Sequence, residues 1–334
     1  MANLRVGLVF DLLGTHPPRP SAPPDLDAEY EPEATVLLLE ASLRRLGHVP
    51  VRLGNPHALL ATLGKGELPP LDAALSIAEG YGSRNREAWA PALLEMAGVP
   101  CLGSDALSLS ASLDKAWAHR LVAAVGVPVP DPRVVSSGEL ESARAGWEFP
   151  LFVKPRWEGT AKGIGPHSRV EDADSLARAV ARIERDYDQP ALVERFLPGA
   201  EYTVTVVGHA PPRALPVLQR ALEPTTGIGL HAVERHPAPP GGWRAHTPGV
   251  LDAPLERELQ RMALLAFDAL ECRDFARADF RLDASGHPHF LELNPLPTFA
   301  PDGSFAILAE IAGRETVELV AEILADGLRR MKRS

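Results

Sequence analysis

The chain has 334 residues, of which 45% are hydrophobic and 23% charged, a balance typical of a folded globular protein. Its formal net charge of -10 argues against nucleic-acid binding, which needs a basic surface. Two cysteines, Cys101 and Cys272, indicate a reducing compartment, and no apolar stretch approaches the roughly 20 residues of a membrane span. We therefore expect a cytoplasmic protein that binds neither nucleic acid nor membrane.

The first hundred residues alternate between strand patterns and helix patterns. Such alternation is typical of an open α/β layer with a parallel sheet. The predicted strands are Val6–Phe10, Val49–Leu53, Asp72–Ile77 and Val99–Leu102, and the predicted helices are Glu33–Leu46 and Trp89–Ala97.

The rest of the chain mixes strand pairs with longer helices. Ser112-Leu-Asp-Lys115 begins a predicted helix that continues through Val125. Residues 208–250 are rich in Pro, Gly and His and have little periodicity, so we expect a long functional loop there. The predicted strands are Leu151–Lys154, Ala191–Glu194, Glu201–Val207, Phe275–Leu282 and His289–Leu293, and the helices are Ala173–Tyr187, Leu255–Leu270 and Thr316–Met331.

A group of oxygen-bearing side chains lies near the end of the chain. Asp279 is on one strand of a predicted hairpin, and Glu292 and Asn294 share one face of the other. Two carboxylates and an amide oxygen on a rigid surface suit a hard cation such as Mg²⁺. Arg277, on the face of Asp279, is a candidate for stabilising charge on a transferring phosphoryl group. The alternatives are a polar edge hairpin and a structural ion pair between Arg277 and Glu292.

Two lysines upstream lie at the ends of secondary structure. Lys154 ends a predicted strand and Lys115 begins a predicted helix, where an ammonium group can meet phosphate oxygens. The loop Glu158–Gly165 can place backbone N–H groups over phosphates. It lacks the Gly-Lys-[Ser/Thr] ending of a P-loop, and a solvated surface role is the alternative for each lysine.

In this order, the motifs resemble those of the ATP-grasp ligases, and among them the D-alanine–D-alanine ligase family. The similarity runs from about residue 70 to the C-terminus. The segments that carry it are Ser112-Leu-Asp-Lys115, Val153-Lys-Pro-Arg-Trp-Glu-Gly-Thr160, Val193-Glu-Arg-Phe-Leu-Pro-Gly-Ala-Glu-Tyr-Thr-Val204, Arg277-Ala-Asp-Phe280 and Leu291-Glu-Leu-Asn-Pro-Leu-Pro297.

The resemblance implies an ATP-grasp fold, of mixed α/β and α+β class. It places an N-terminal open parallel α/β domain at 1–110, a small central subdomain at 111–192 and a C-terminal subdomain with the metal site at 193–334. The implied cofactors are ATP and two Mg²⁺ ions, for which Mn²⁺ can substitute. The implied ATP-binding residues are Lys115, Lys154, Glu158, Thr160, Glu194, Leu197 and Glu201, the metal ligands are Asp279, Glu292 and Asn294, and Arg277 stabilises the intermediate.

The family reaction phosphorylates a carboxylate to an acyl phosphate, which an amine then attacks. The implied product is a dipeptide, D-alanyl-D-alanine or similar. The implied partners are small amino acids, and a homodimer is compatible with the resemblance.

The chain departs from the family where the amino acids bind. A Gly-Gly-x-Ser-x-Glu motif is absent after the first strand, and Glu31 or Glu29 is expected to replace its glutamate. The lysine of a Tyr-x-x-Lys element is also absent, and Arg235 is its candidate replacement in an expected mobile lid at residues 225–242. Ser304 is the best match for the serine that binds the acceptor carboxylate.

These departures leave three hypotheses open. The first is a D-alanine–D-alanine ligase or a close dipeptide-forming homologue. The second is an ATP-grasp ligase for another substrate pair, and the third is a nucleotide-binding regulatory protein without catalysis. Asp279, Glu292, Asn294 and Arg277 are all present, which argues against the third.

Overall fold

A computed structural model describes residues 3–15, 23, 25–140, 146–222, 229–234 and 251–331, with the backbone alone for 229–234. Its strands form three sheets. None of the described helices combines the length and apolarity that a bilayer crossing requires.

The N-terminal sheet is parallel and has the strand order β2-β1-β3-β4. Its central strand is apolar on both faces, because helices cover both. Val6 and Leu8 pack in one core with the first and the last helix of the chain, and Val9 packs on the other face. The elements are β1 (Arg5–Phe10), α1 (Glu33–Arg45), β2 (Val49–Gly54), α2 (Pro56–Lys65), β3 (Ala73–Ile77), α3 (Trp89–Met96) and β4 (Cys101–Leu102).

The second sheet is antiparallel and has the order β5-β8-β6-β7. Two helices, α4 (Ala106–Leu113) and α5 (Lys115–Ala124), precede it. The long helix α6 packs its apolar side on the sheet, with Leu176 and Ile183 against Val153 and Val193. The elements are β5 (Arg133–Val135), β6 (Leu151–Pro155), β7 (Arg169–Val170), α6 (Ala173–Tyr187) and β8 (Ala191–Arg195).

The third sheet is antiparallel and has the order β12-β11-β9-β13-β14, with β10 paired to β9. Helix α7 packs on one face, where Phe267 belongs to the same core as Phe280 and Phe290. The elements are β9 (Glu201–Val207), β10 (Arg213–Ala214), β11 (Leu218–Leu222), β12 (Gly229–Glu234), α7 (Ala253–Ala269), β13 (Phe275–Leu282), β14 (Pro288–Asn294), α8 (Ser304–Ile311) and α9 (Thr316–Met331).

The expected long loop at 208–250 is wrong for part of that range. Strands β10, β11 and β12 lie inside it, and β11 pairs with both β9 and β12. Proline residues on both sides of β11 obscure its short strand pattern in the sequence, although Leu218 and Leu222 are buried. The expected lid at 225–242 and Arg235 lie outside the described residues, apart from the backbone of 229–234.

Candidate active site

Most of the side chains predicted from the sequence line two neighbouring cavities between the second and third sheets. The first cavity has an apolar end, formed by Phe152, Phe196 and Leu197, and a charged end around Lys154 and Asp279. The second cavity lies beside it. Both cavities share Ala161, Arg220 and Glu292 as lining residues, so they adjoin each other.

The two predicted lysines reach the first cavity from different elements. Lys115 is the first residue of α5, whose N-cap Asp114 accepts a hydrogen bond from the backbone N–H of Trp117. Its ammonium group contacts the carbonyl oxygen of Glu158 and lies 3.2 Å from Glu292 Oε2. Lys154 lies on β6, and its Nζ is 2.9 Å from Glu194 Oε2. Both lysine side chains are buried, and each ammonium group contacts a carboxylate of a neighbouring strand.

Glu292 lies at the centre of this charged end. It faces Asp279 in the register of β13 and β14, so the two carboxylates share one face of the sheet. Burial alone would raise the pKa of Glu292, but the charges of Lys115, Lys154 and Arg277 hold the pKa at about 2. The carboxylate is therefore ionised at neutral pH and available to a cation.

Asp279 is almost fully buried and surrounded by donors. Thr203 Oγ1 donates to its Oδ1 at 2.7 Å. Two guanidinium groups donate to its Oδ2, that of Arg277 at 3.1 Å and that of Arg220 at 3.3 Å. Arg277 therefore forms an ion pair with Asp279, and not the pair with Glu292 that the sequence left open as an alternative.

Asn294 faces Arg277 across the hairpin, two residues from Glu292 on the same strand. Its Oδ1 accepts a hydrogen bond from the backbone N–H of Leu296. It lines a third cavity together with Lys115, Thr160 and Glu292. The three oxygen-bearing residues predicted as metal ligands thus converge on one end of the β13–β14 hairpin.

Glu194 and Glu201 occupy buried positions at the first cavity. Glu194 lies between Lys154 and His119, whose Nδ1 is 3.5 Å from Glu194 Oε1. Burial lowers the pKa of His119. Glu201 lies 3.4 Å from Arg281 Nη1 and 3.7 Å from Arg220 Nε, and burial raises its pKa despite these cations.

The loop Glu158–Gly165 separates the first cavity from the third. The Glu158 carboxylate accepts a hydrogen bond from Gln189 at 2.9 Å and contacts Lys162. Thr160 has a φ of 47°, in the left-handed region, and it lines both the second and the third cavity. The loop therefore places Glu158 at the first cavity and Thr160 at the other two.

The second cavity contains Arg277 and Ser304. Ser304 is the first residue of α8, where helix N–H groups favour an anion. Glu31 lies outside the lining of the three cavities described, and it accepts a hydrogen bond from Thr35 Oγ1 at 2.7 Å. Burial raises the pKa of Glu31, and Thr298 of the second cavity is its neighbour.

Glu29, the expected alternative to Glu31, lines the third cavity, and its carboxylate accepts hydrogen bonds from Arg86, Lys162 and the backbone N–H of Gly159.

Arg220 lines the first and second cavities but is not among the predicted residues, because it lies in the range expected to be a loop. The run Val217–Leu222, apolar apart from Gln219 and Arg220, was the available signal for a strand there.

Comparisons with known proteins agree with this geometry. The family model described as the D-ala D-ala ligase C-terminus matches residues 121–325. A D-alanine–D-alanine ligase of Ectopseudomonas mendocina is 32% identical over 77% of this chain and 78% of its own length. An uncharacterised protein, y4sG, of Sinorhizobium fredii is 31% identical over 85% of this chain and 84% of its own.

Solved structures share the whole fold. A D-alanine–D-alanine ligase from Bacillus anthracis superposes with a TM-score of 0.73 at 21% identity, covering 99% of both chains. The VanG D-Ala:D-Ser ligase from Enterococcus faecalis gives 0.72 at 19% identity, covering 98% of this chain and all of its own. With the family match and the relatives above, these place the chain in the D-alanine–D-alanine ligase family of ATP-grasp enzymes.

Proposed function

We propose that this protein joins two amino acids in an ATP-dependent reaction that passes through an acyl phosphate. The observation that carries the proposal is the junction of the two cavities at Glu292 and Arg220. One cavity has the charges that phosphates need, and the other has a helix N-terminus and a guanidinium group suited to a carboxylate. Transfer of a phosphoryl group from one to the other requires such a junction.

The first cavity suits a nucleotide. Phe152, Phe196 and Leu197 provide an apolar end for a purine ring, and Glu201 is placed to accept from a ribose hydroxyl. Lys115 and Lys154 lie toward the other end, where they offset the negative charge of the phosphates. Residues of the Glu158–Gly165 loop line the same space.

The donor set at the β13–β14 hairpin fits divalent metal ions. In the described part of the chain, no group of three or more His, Cys, Asp and Glu side chains is placed to hold a metal. Mg²⁺, however, commonly uses one or two carboxylates and takes its other oxygens from phosphates and water. Asp279, Glu292 and Asn294 would hold two Mg²⁺ ions, or Mn²⁺, which would neutralise phosphate charge.

The second cavity suits the amino acids. Ser304 at the start of α8 is placed to bind a substrate carboxylate, and Arg277 is placed to stabilise the charge of a tetrahedral intermediate. Glu31, next to Thr298 of this cavity, or Glu29, which lines the third cavity, would bind the ammonium group of the first amino acid. The relatives are named for D-alanine and D-serine, so we propose a pair of small D-amino acids.

The three sheets support a division of the chain into three parts, and we retain 1–110, 111–192 and 193–334 as a proposal, with the second boundary moved to follow β8 (Ala191–Arg195), which belongs to the second sheet. Closure of the second sheet over the third would exclude water from the acyl phosphate.

The function is tested by ATP-dependent phosphate release, screened over D- and L-amino acids singly and in pairs. We expect one pair to stimulate release strongly and to yield a dipeptide. Stimulation by a pair other than D-alanine would identify another ligase of this family. ATP binding without release in any mixture would instead support the regulatory hypothesis.

A further inference from the structure

Arg220 extends from β11 into the charged end of the first cavity. On the neighbouring strand β9 its register partner is Glu201. Its guanidinium donates to Thr203 Oγ1 at 3.2 Å and to Asp279 Oδ2 at 3.3 Å. These hydrogen bonds to side chains of β9 and β13 fix the position of the guanidinium group on the third sheet.

The position of Arg220 between the cavities distinguishes it from the other cations. Lys115 and Lys154 line the first cavity, and Arg277 lines the second. Ala161, Arg220 and Glu292 are the described residues that line both cavities, and of these three Arg220 carries a positive charge. Its side chain is 14% exposed, so part of it can still be reached from the cavities.

Binding of a nucleotide and a divalent cation would also change the charges around Arg220. Asp279 now shares its carboxylate between Arg220 and Arg277. A divalent cation at Asp279 would compete with both guanidinium groups for the carboxylate oxygens. A guanidinium carries five N–H donors, so those released from Asp279 would be free for an anion at the junction.

We propose that Arg220 binds the γ-phosphate of ATP and stays with the phosphoryl group as it crosses to the substrate carboxylate. The inference rests on the proposed function. In this step the bond between the γ-phosphorus and the β,γ-bridging oxygen breaks, and ADP leaves with the electron pair. A carboxylate oxygen forms the new bond to phosphorus, while Arg220 donates hydrogen bonds and is unchanged.

A structural role is the alternative, in which Arg220 only neutralises Asp279 and Glu201. The two roles differ in what they do to ATP and ADP. A γ-phosphate ligand discriminates between these nucleotides, whereas a neutralising residue affects both alike. Arg281 offers a matched control, since it also pairs with Glu201 but lies 5.3 Å from the ring centre of Phe196, toward the apolar end.

The test is calorimetric titration of ATP and ADP, each with Mg²⁺, into the full-length protein and its variants. We expect Arg220→Met to weaken ATP binding at least about tenfold and ADP binding by less than about threefold. Arg281→Met should weaken both nucleotides by similar factors. Phosphate release by Arg220→Met should fall at least about a hundredfold.

Arg220→Lys keeps the positive charge that Asp279 and Glu201 require, and it carries the test if the methionine variant does not fold. A lysine cannot reproduce the planar fork of a guanidinium, so ATP affinity should still fall at least about threefold relative to ADP affinity. An unchanged ratio of ATP to ADP affinity in the folded variants would overturn the inference. Absence of ATP binding by the unmodified protein would overturn the proposed function itself.

Discussion

At the residue scale, the site consists of buried cationic side chains that are paired with carboxylates. A bound ligand would share these cations with the carboxylates. Lys154 shows this most simply, because its only carboxylate partner among the described ion pairs is Glu194. Both members of the pair line the first cavity. We propose that phosphate oxygens join this pair when the nucleotide binds, adding hydrogen bonds to the same ammonium.

Substitution of Lys154 tests that arrangement. We expect Lys154→Ala to weaken ATP binding at least about tenfold, or about 1.4 kcal/mol, because a phosphate charge loses its counter-ion. Calorimetry measures the affinity, and Lys65→Ala, on the exposed end of α2, is the control. Equal affinities in the two variants would remove Lys154 from the phosphate site.

Glu292 is expected to act in catalysis. Glu292→Gln keeps the size of the side chain but removes the charge needed to balance divalent cations. Phosphate release should fall at least about a hundredfold, about 2.7 kcal/mol of barrier, in a protein that still folds. Glu310→Gln on the exposed side of α8 is the control. Turnover close to normal in Glu292→Gln would contradict the metal assignment.

The raised pKa of Glu87 predicts that the stability of the protein depends on pH. Burial raises its pKa to about 7, although Arg86 partly opposes the shift. Between about pH 4.5 and pH 7 the folded protein therefore holds a proton that the unfolded chain has released, and the free energy of unfolding decreases as pH rises. Glu87→Gln removes this titration.

Denaturant unfolding at about pH 5 and about pH 7 measures the effect. The loss of stability between these values should be smaller in Glu87→Gln by roughly 2 kcal/mol. Glu95→Gln, exposed on α3, should behave like the unmodified protein. The same pH dependence in both variants would show that Glu87 titrates normally.

At the element scale, the start of α5 is joined to the segment after β6. Asp114 caps α5, and its two oxygens accept hydrogen bonds from Arg156 Nε and Nη2, both at 2.7 Å. Trp157 Nε1 donates to the same carboxylate at 3.2 Å. One buried side chain thus sets the position of Lys115 relative to the Glu158–Gly165 loop.

Asp114→Ala should therefore affect both stability and binding. We expect the free energy of unfolding to fall by about 3 kcal/mol, since a buried charge pair and a helix cap are lost together. ATP affinity should fall as well, because Lys115 loses its support. Asp105→Ala, which removes the cap of α4, should cost about 1 kcal/mol and leave ATP binding unchanged. Similar results for both variants would contradict this role of Asp114.

The sequence allowed some elements to be predicted closely and concealed others. Helix α6 has strong apolar periodicity and a capping residue, Asp172, and its predicted bounds are confirmed. The predicted bounds of β9 and α9 are also confirmed. Helix α2 was missed although Asn55, Pro56 and Gly66 are typical start and stop residues.

The site was predictable where residue types recur in a fixed order, as for the lysines and for the carboxylates of the hairpin. The site was not predictable where the role of a side chain depends on tertiary contacts. Arg220 is such a case, because its partner Asp279 lies 59 residues away in sequence. Only the pairing of β11 and β13 with β9 brings these two side chains together.

At the scale of the whole molecule, one core links the two ends of the chain. Val6 and Leu39 of the N-terminal layer pack with Phe275 of the third sheet and with Leu324 of the last helix. The N-terminal layer is therefore fixed to the sheet that carries Asp279 and Glu292. The same core contains Phe299 and Phe305, the chain neighbours of Thr298 and Ser304 in the second cavity.

The most direct test of the ligase chemistry follows an oxygen atom. Amino acids labelled with ¹⁸O in the carboxylate are incubated with ATP, Mg²⁺ and the enzyme, starting with D-alanine, and the released phosphate is analysed by mass spectrometry. Because an acyl phosphate keeps a carboxylate oxygen when the amine displaces phosphate, we predict one ¹⁸O atom in each phosphate released. Phosphate that carries no label from any amino acid that stimulates its release would contradict the account.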